Sequence, residues 1–254
     1  MHWMLKAICG YLLHPKVPRG STQGIRVTDV GAGSGIWLLE LAEELPATSM
    51  LEGFDISSQQ YPPPEWWANN VRLMEHDAFR PFPEQYIGAY DVVNVRFLLT
   101  LIRGPEAVPF LKNLVTLLKP GGYIQWTEPQ FYSVQTKLSN PESASGNVVR
   151  HLEALMRKPP SGVTYEWVAE LPSTFEKAGL ELVCHELFPV KDSYKLPYCQ
   201  GLLAALEETT VDSPNVSAES AQESSKFISE LSKEFAKGVY LDTNFLCMVG
   251  RKPH

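Results

Sequence analysis

The stretch VTDVGAGSGIW at 27–37 constrains the chain most, because it sets glycines at 31, 33 and 35 directly behind a short apolar, β-branched run. Leu38, Leu41, Ala42 and Leu45 follow at helical spacing, so the glycines fall on a strand-to-helix turn. Such a turn lets backbone N–H groups and the start of a helix approach a ligand closely. Its spacing narrows the ligand. A dinucleotide fingerprint needs a sixth-position glycine, where Ile36 stands, and a P-loop needs a Gly-Lys-Ser/Thr ending that this turn lacks. Phosphate readings weaken, and what remains is Asp29 ahead of Gly31, Gly33 and Gly35.

The first half repeats the alternation. Residues 25–30 read as a strand, 50–56 (MLEGFDI) as a second ending in Asp55, and 71–78 (VRLMEHDA) as a third ending near Asp77. The prolines of YPPPEWW remove donors and fix φ, which predicts a loop with a short helix. Residues 90–99 (YDVVNVRFLL) read as a buried strand, and Val108, Leu111, Leu114, Val115 and Leu118 mark one helix face that KPGG ends before the strand YIQWTE. Five such repetitions predict an α/β fold with a parallel sheet covered on both faces. Beyond them, 131–146 reads as loop, 147–157 as helix, and EWVAELPSTFEKAGL as helix interrupted at Pro172. Residues 180–190 and 244–250 read as the last two strands, and the polar VDSPNVSAESAQESS at 211–225 reads as mobile, part of a lid.

The 254 residues can bury one full core, so a single domain with insertions is the economical expectation. A formal charge of -7 and a pI near 5.4 disfavour nucleic acid and anionic membrane surfaces as partners. No stretch approaches a membrane span or a signal-peptide core, so a cytoplasmic protein is expected. Cys9, Cys184, Cys199 and Cys247 are scattered without metal-ligand spacing, which predicts free thiols and no metal.

VTDVGAGSGIW, LEGFDIS, EHDAFRPFP, YDVVNVRFLLTLI and LLKPGGYIQWTE together resemble the successive motifs of class I S-adenosylmethionine-dependent methyltransferases. GYLLHP, GIWLLELA and LKPGGYIQW narrow the resemblance to small-molecule methyltransferases of fungal secondary metabolism. It implies a Rossmann-like, seven-stranded, mostly parallel sheet with helices on both faces and a helical cap. Residues 1–24 would be an N-terminal cover, 25–130 the cofactor-binding half, and 131–165 with 191–240 the substrate cap or lid. S-adenosylmethionine would be the cofactor and S-adenosylhomocysteine its product. By the same resemblance Asp29, Gly31, Ala32, Gly33 and Gly35 form the turn over the cofactor, and Asp55 with Ile56 takes the ribose side. Asp77 and Ala78 would face the adenine, Asn94, Val95 and Arg96 would hold the methionine moiety, and Tyr11 would close over it.

Methyl transfer from a sulfonium is an in-line displacement, so positioning in a water-free site does most of the work. A base is needed only when the acceptor must lose a proton. Glu128, just past the fifth strand, and His151, beside the apolar stripe of helix 147–157, are the candidates, with His185 a third. The expected activity is methyl transfer to an O, N or S atom of a small, partly apolar metabolite. Two alternatives stay open: a regulatory or binding protein on the same fold, and a cofactor-assisted rearrangement without methyl transfer.

Overall fold

The computed structural model describes residues 1–20, 22–142, 144–159, 164–211 and 216–254. In chain order the elements are α1 (His2–Cys9), β1 (Arg26–Val30), α2 (Ile36–Glu44), β2 (Met50–Asp55), β3 (Val71–Glu75), β4 (Tyr90–Arg96), α3 (Ala107–Leu117) and β5 (Leu118–Pro129). They continue with β6 (Gln135–Leu138), α4 (Asn147–Arg157), α5 (Leu171–Lys177), β7 (Glu181–Pro189), α6 (Lys195–Thr210), α7 (Ala218–Ala236), β8 (Val239–Asp242) and β9 (Asn244–Arg251).

Among the described residues, seven strands form one sheet in the order β3-β2-β1-β4-β5-β9-β7, and β6 pairs with β8 antiparallel. Every pair from β3 across to β5 is parallel. β9 runs the other way: Gly121 N–H donates to Lys252 and Lys252 N–H to Gly122, while Gln130 N–H donates to Asn244. The order runs one way from β1 to β2 and β3, and the other way from β4 to β5. Right-handed crossovers therefore send α2 and α3 to opposite faces, and the direction reverses between β1 and β4. Open α/β sheets bind ligands at that reversal, beyond the carboxyl ends of the strands.

Residues cluster into two compact units. One comprises 11–129, 165–187 and 246–254, and the other 1–10, 130–164 and 188–245. In the first, Val27, Val30, Leu51, Val92, Val93, Val95, Ile124 and Trp126 are fully or almost fully buried, as are Trp37, Leu38 and Leu41 of α2 and Leu111 and Leu114 of α3. Burying each such aliphatic side chain contributes roughly 1.5 to 3 kcal/mol. Trp126 sits among Phe110, Trp167 and Phe175, with ring centroids 5.7, 5.8 and 6.5 Å away. In the second unit, α4, α6 and α7 pack with β6 and β8 around Tyr198, Leu231, Phe235, Leu241 and Phe245.

The structure departs from the sequence reading at several elements. The stretch read as mobile contains the start of the 19-residue helix α7; residues 212–215 lie outside the described residues. Ser217 caps it by accepting Ser220 N–H at 3.2 Å, and Leu231 and Phe235 are its buried anchors. Polar Ala/Glu/Ser/Lys composition is as compatible with a helix carrying a narrow apolar stripe as with disorder. Residues 131–146, read as loop, contain β6, whose short polar strand is fixed by its pairing with β8. Pro172 does not interrupt a helix: it lies in the first turn of α5, where no amide donor is needed. The fourth strand stops at Arg96 instead of running to 99, because Phe97 adopts a left-handed φ of 60°.

Candidate functional site

The glycine turn leaves the end of β1 and folds back on the end of β2. Gly31 and Ala32 N–H groups donate to the Phe54 carbonyl at 2.8 and 3.0 Å, and Gly33 N–H donates to Asp55 Oδ2 at 2.8 Å. A Cβ at Gly33 would meet only Gln60 Oε1, at an ordinary contact distance of 3.5 Å, so the φ of +55° is what requires glycine there. Gly35 is excluded from substitution by space as well, since a Cβ would lie 2.7 Å from Leu73.

Asp55 is half-buried at the end of β2, and its Oδ1 accepts Ser57 N–H at 3.3 Å. An ionised carboxylate has about four acceptor positions, so Asp55 retains two beside the turn after holding Gly33 and Ser57. Ile56 follows with 73% of its surface exposed. Asp77 closes a local turn, accepting Phe79 N–H at 3.0 Å and Arg80 Nε–H at 3.3 Å. The Ala78 carbonyl accepts the Asn113 amide at 2.9 Å.

Asp29 lies buried beneath the turn. Asn94 Nδ2 donates to its Oδ1 at 2.7 Å, while Oδ2 accepts no hydrogen bond and has Arg96 Nη2 at 3.9 Å. Burial pushes the carboxyl up to about 6, with Arg96 and Asn94 pulling the other way. The network continues through Gln125 of β5, whose amide donates to Asn94 Oδ1 at 3.1 Å and to the Leu12 carbonyl at 2.9 Å. Its Oε1 accepts His14 N–H at 2.7 Å, and Trp37 Nε1–H donates to the same Leu12 carbonyl at 3.2 Å. Tyr11 turns its ring edge toward His14, centroids 5.0 Å apart, with its hydroxyl against Cys247. Val95 is fully buried between β1 and β5, so only its backbone can serve a ligand.

Glu128 is fully buried. Its Oε1 accepts Leu98 N–H at 2.7 Å and Trp126 Nε1–H at 2.8 Å, and its Oε2 accepts Leu99 N–H at 3.3 Å. Burial raises it to about 7 against these three donors. It thereby fixes the backbone after Phe97, a non-glycine residue in the left-handed region.

His151 is exposed on α4, in the second unit, its ring centroid 5.5 Å from that of Phe227 of α7 in an edge-on arrangement. His185 is exposed on β7. His14, Cys184 and Glu186 form a separate cluster, with His14 Nε2 at 3.3 Å from both Cys184 Sγ and Glu186 Oε2. Lys16 N–H donates to His14 Nδ1 at 3.1 Å, so the neutral ring carries its proton on Nε2 and donates toward the cluster. A metal at Nε2 would require the opposite tautomer, which is why the arrangement reads as a hydrogen-bonded latch.

The structure thus joins Asp29, Gly31, Ala32, Gly33, Gly35, Asp55, Asn94 and Arg96 in one neighbourhood. The sequence reading missed Gln125 and the side-chain role of Asn94. Their signal was a single polar residue in the middle of each of two otherwise apolar strands, DVVNVR and YIQW.

A glycine turn at the reversal point, an acid ending the neighbouring strand, and an antiparallel strand in the sixth position of the sheet define the class I methyltransferase fold. The chain belongs to the methyltransferase-domain family, whose model matches residues 5–185. It is 33% identical over 135 residues to N-methyltransferase tcpN of Claviceps purpurea, covering 53% of this chain and 48% of that protein. It is 31% identical over 179 residues to methyltransferase grgD of a Penicillium species, covering 66% and 57%. The chain therefore spans about half the length of these curated relatives. Among solved structures it is similar to the [4+2]-cyclase SpnF, with a TM-score of 0.55 and 16% identity over 99% of this chain and 93% of that one, a likeness of fold alone.

Proposed function

We propose that the chain binds S-adenosylmethionine at the glycine turn and transfers its methyl group to an O, N or S atom of a small metabolite. The observation that supports this best is the Gly33 N–H bond to Asp55 at the strand-to-helix turn, which leaves about two carboxylate acceptor positions on a half-buried strand-end acid. A ribose diol supplies two matching donors. Asp29 adds a buried negative charge beneath the turn, which favours the cationic methionine end of the cofactor over an anionic phosphate. When bound, the cofactor supplies an electrophilic methyl on a positive sulfonium. The backbone of Asn94–Arg96 and the exposed face of Ile56 are the remaining contacts in this reading, with Asp77 and Ala78 on the adenine side and Tyr11 as cover.

Glu128 is better suited to hold the 97–99 backbone than to act as base, since its oxygens are engaged and shielded from solvent. His151 is the proposed base for an acceptor that must lose a proton; its exposure leaves its ring nitrogens accessible to solvent. The name of the N-methyltransferase relative supports a nitrogen acceptor as one case among the three.

A thermal-shift comparison tests the cofactor. S-adenosylhomocysteine should raise the Tm, by the equivalent of about 2.7 kcal/mol at a hundredfold excess over its Kd, and NAD should leave it unchanged. A shift with NAD alone overturns the reading. Labelled cofactor incubated with a metabolite extract then identifies the acceptor, and His151→Ala should lower turnover on it about 10²-fold at unchanged cofactor affinity.

A further inference from the structure

We propose that Gln125 is a positioning residue for cofactor binding, holding the Asn94 amide in the orientation that donates to Asp29 while clamping the backbone of residues 12–14 with the same side chain. The inference rests on the cofactor reading above. Gln125 is 2% exposed within β5, flanked by β4 and β9. Its three polar contacts fix one another's direction. The His14 backbone N–H is a donor that cannot be inverted, so Oε1 must face it and Nε2 must face Asn94 and Leu12. Asn94 must then turn Oδ1 toward Gln125, which leaves Nδ2 aimed at Asp29. The polarity of the whole series is set by a peptide group in the N-terminal segment, 111 residues away from Gln125 in sequence.

The consequence falls on the charge under the glycine turn. Asp29 is faced by Asn94 and Arg96 from β4 and by the charge of Asp55 from β2. With Gln125 removed, the Asn94 amide is free to rotate, the donor that stabilises ionised Asp29 is no longer enforced, and the carboxyl protonates more readily. Cofactor affinity should then fall, and fall at higher pH than in the unaltered protein.

The test measures the S-adenosylhomocysteine Kd by calorimetry from pH 5 to 8 for the unaltered protein, Gln125→Leu, Gln125→Met, Asn94→Ala and the Gln125→Leu/Asn94→Ala pair. We expect binding to weaken about tenfold at pH 7 in each Gln125 variant, matching the loss of one hydrogen bond to a charged group, with the midpoint of the pH profile displaced upward. The pair should bind no more weakly than Asn94→Ala alone, because both changes act on one series. A lowered Tm with unchanged Kd and midpoint, or losses that add in the pair, overturns the proposal. Should the Gln125 variants not fold, the side-chain amide ¹⁵N resonances of Asn94 and Gln125 in the unaltered protein decide it. They should titrate with a common midpoint, and an invariant Gln125 beside a titrating Asn94 overturns the proposal. Failure of the unaltered protein to bind S-adenosylhomocysteine sinks the cofactor reading instead, and the NMR titration still tests the series.

Discussion

Asp55 and Glu128 are both strand-end carboxylates, yet their surroundings give them opposite work. Asp55 is half-open and keeps acceptor capacity, so Asp55→Ala should weaken S-adenosylhomocysteine binding by roughly 1.5 to 3 kcal/mol, read by calorimetry, with the fold retained by circular dichroism. Glu128 is closed, and its titration should appear in stability. Its folded pKa of about 7 lies above that of an unfolded glutamate, so the native state binds more protons in between. Stability contributed by its protonated form is therefore present at low pH and lost as pH rises through the window up to about 7. Asp29 adds a loss of the same sign ending near 6. Urea midpoints measured at pH 5, 6 and 7 should decline, and Glu128→Gln should flatten the upper part of that decline. An unchanged slope in the variant would show that Glu128 is ionised throughout. That Glu128 ends a strand was legible from YIQWTE, but its engagement with Leu98 and Leu99 was not, because those partners lie about thirty residues away, as their separations of 30 and 29 show.

At the scale of elements, the parallel half of the sheet was readable because each strand announces itself twice, by β-branched content and by the turn residues that end it. α4 was readable for a similar reason, its apolar positions falling at helical spacing between the loop ending at Gly146 and Lys158. β6, β8 and α7 were not. β6 and β8 are four residues each and are paired as strands with one another, so neither carries a local signature. α7 buries only Leu231 and Phe235, and its first turns are polar all round. Its stability should accordingly depend on its ends. Ser217→Ala should cost about 1 kcal/mol through loss of the cap, while Phe235→Ala should cost 3 to 5 kcal/mol, on the order of other buried aromatic truncations. Chemical denaturation of both variants checks the ratio; equal costs would mean that the helix is held by something other than its buried stripe.

For the whole molecule, the chain passes between its two compact units at 10/11, 129/130, 164/165, 187/188 and 245/246. Neither unit is a continuous stretch, so neither can complete its own core before segments of the other have been made. Unfolding followed by tryptophan fluorescence and by far-UV circular dichroism should therefore coincide in one transition, and two separated transitions would show that the units fold independently. The contact from His14 to Glu186 spans 172 residues, and that from His14 to Gln125 spans 111. On a ribosome adding roughly 5 to 20 residues per second, His14 waits about 10 to 35 s for Glu186 to emerge. The Gln125 contacts that brace residues 12–14 can therefore form while later segments are still being made, and the His14–Glu186 contact only afterwards. In refolding from denaturant, sheet formation should precede the Trp37 fluorescence change that reports docking of the Leu12 carbonyl, and S-adenosylhomocysteine binding should follow the Trp37 phase rather than the sheet.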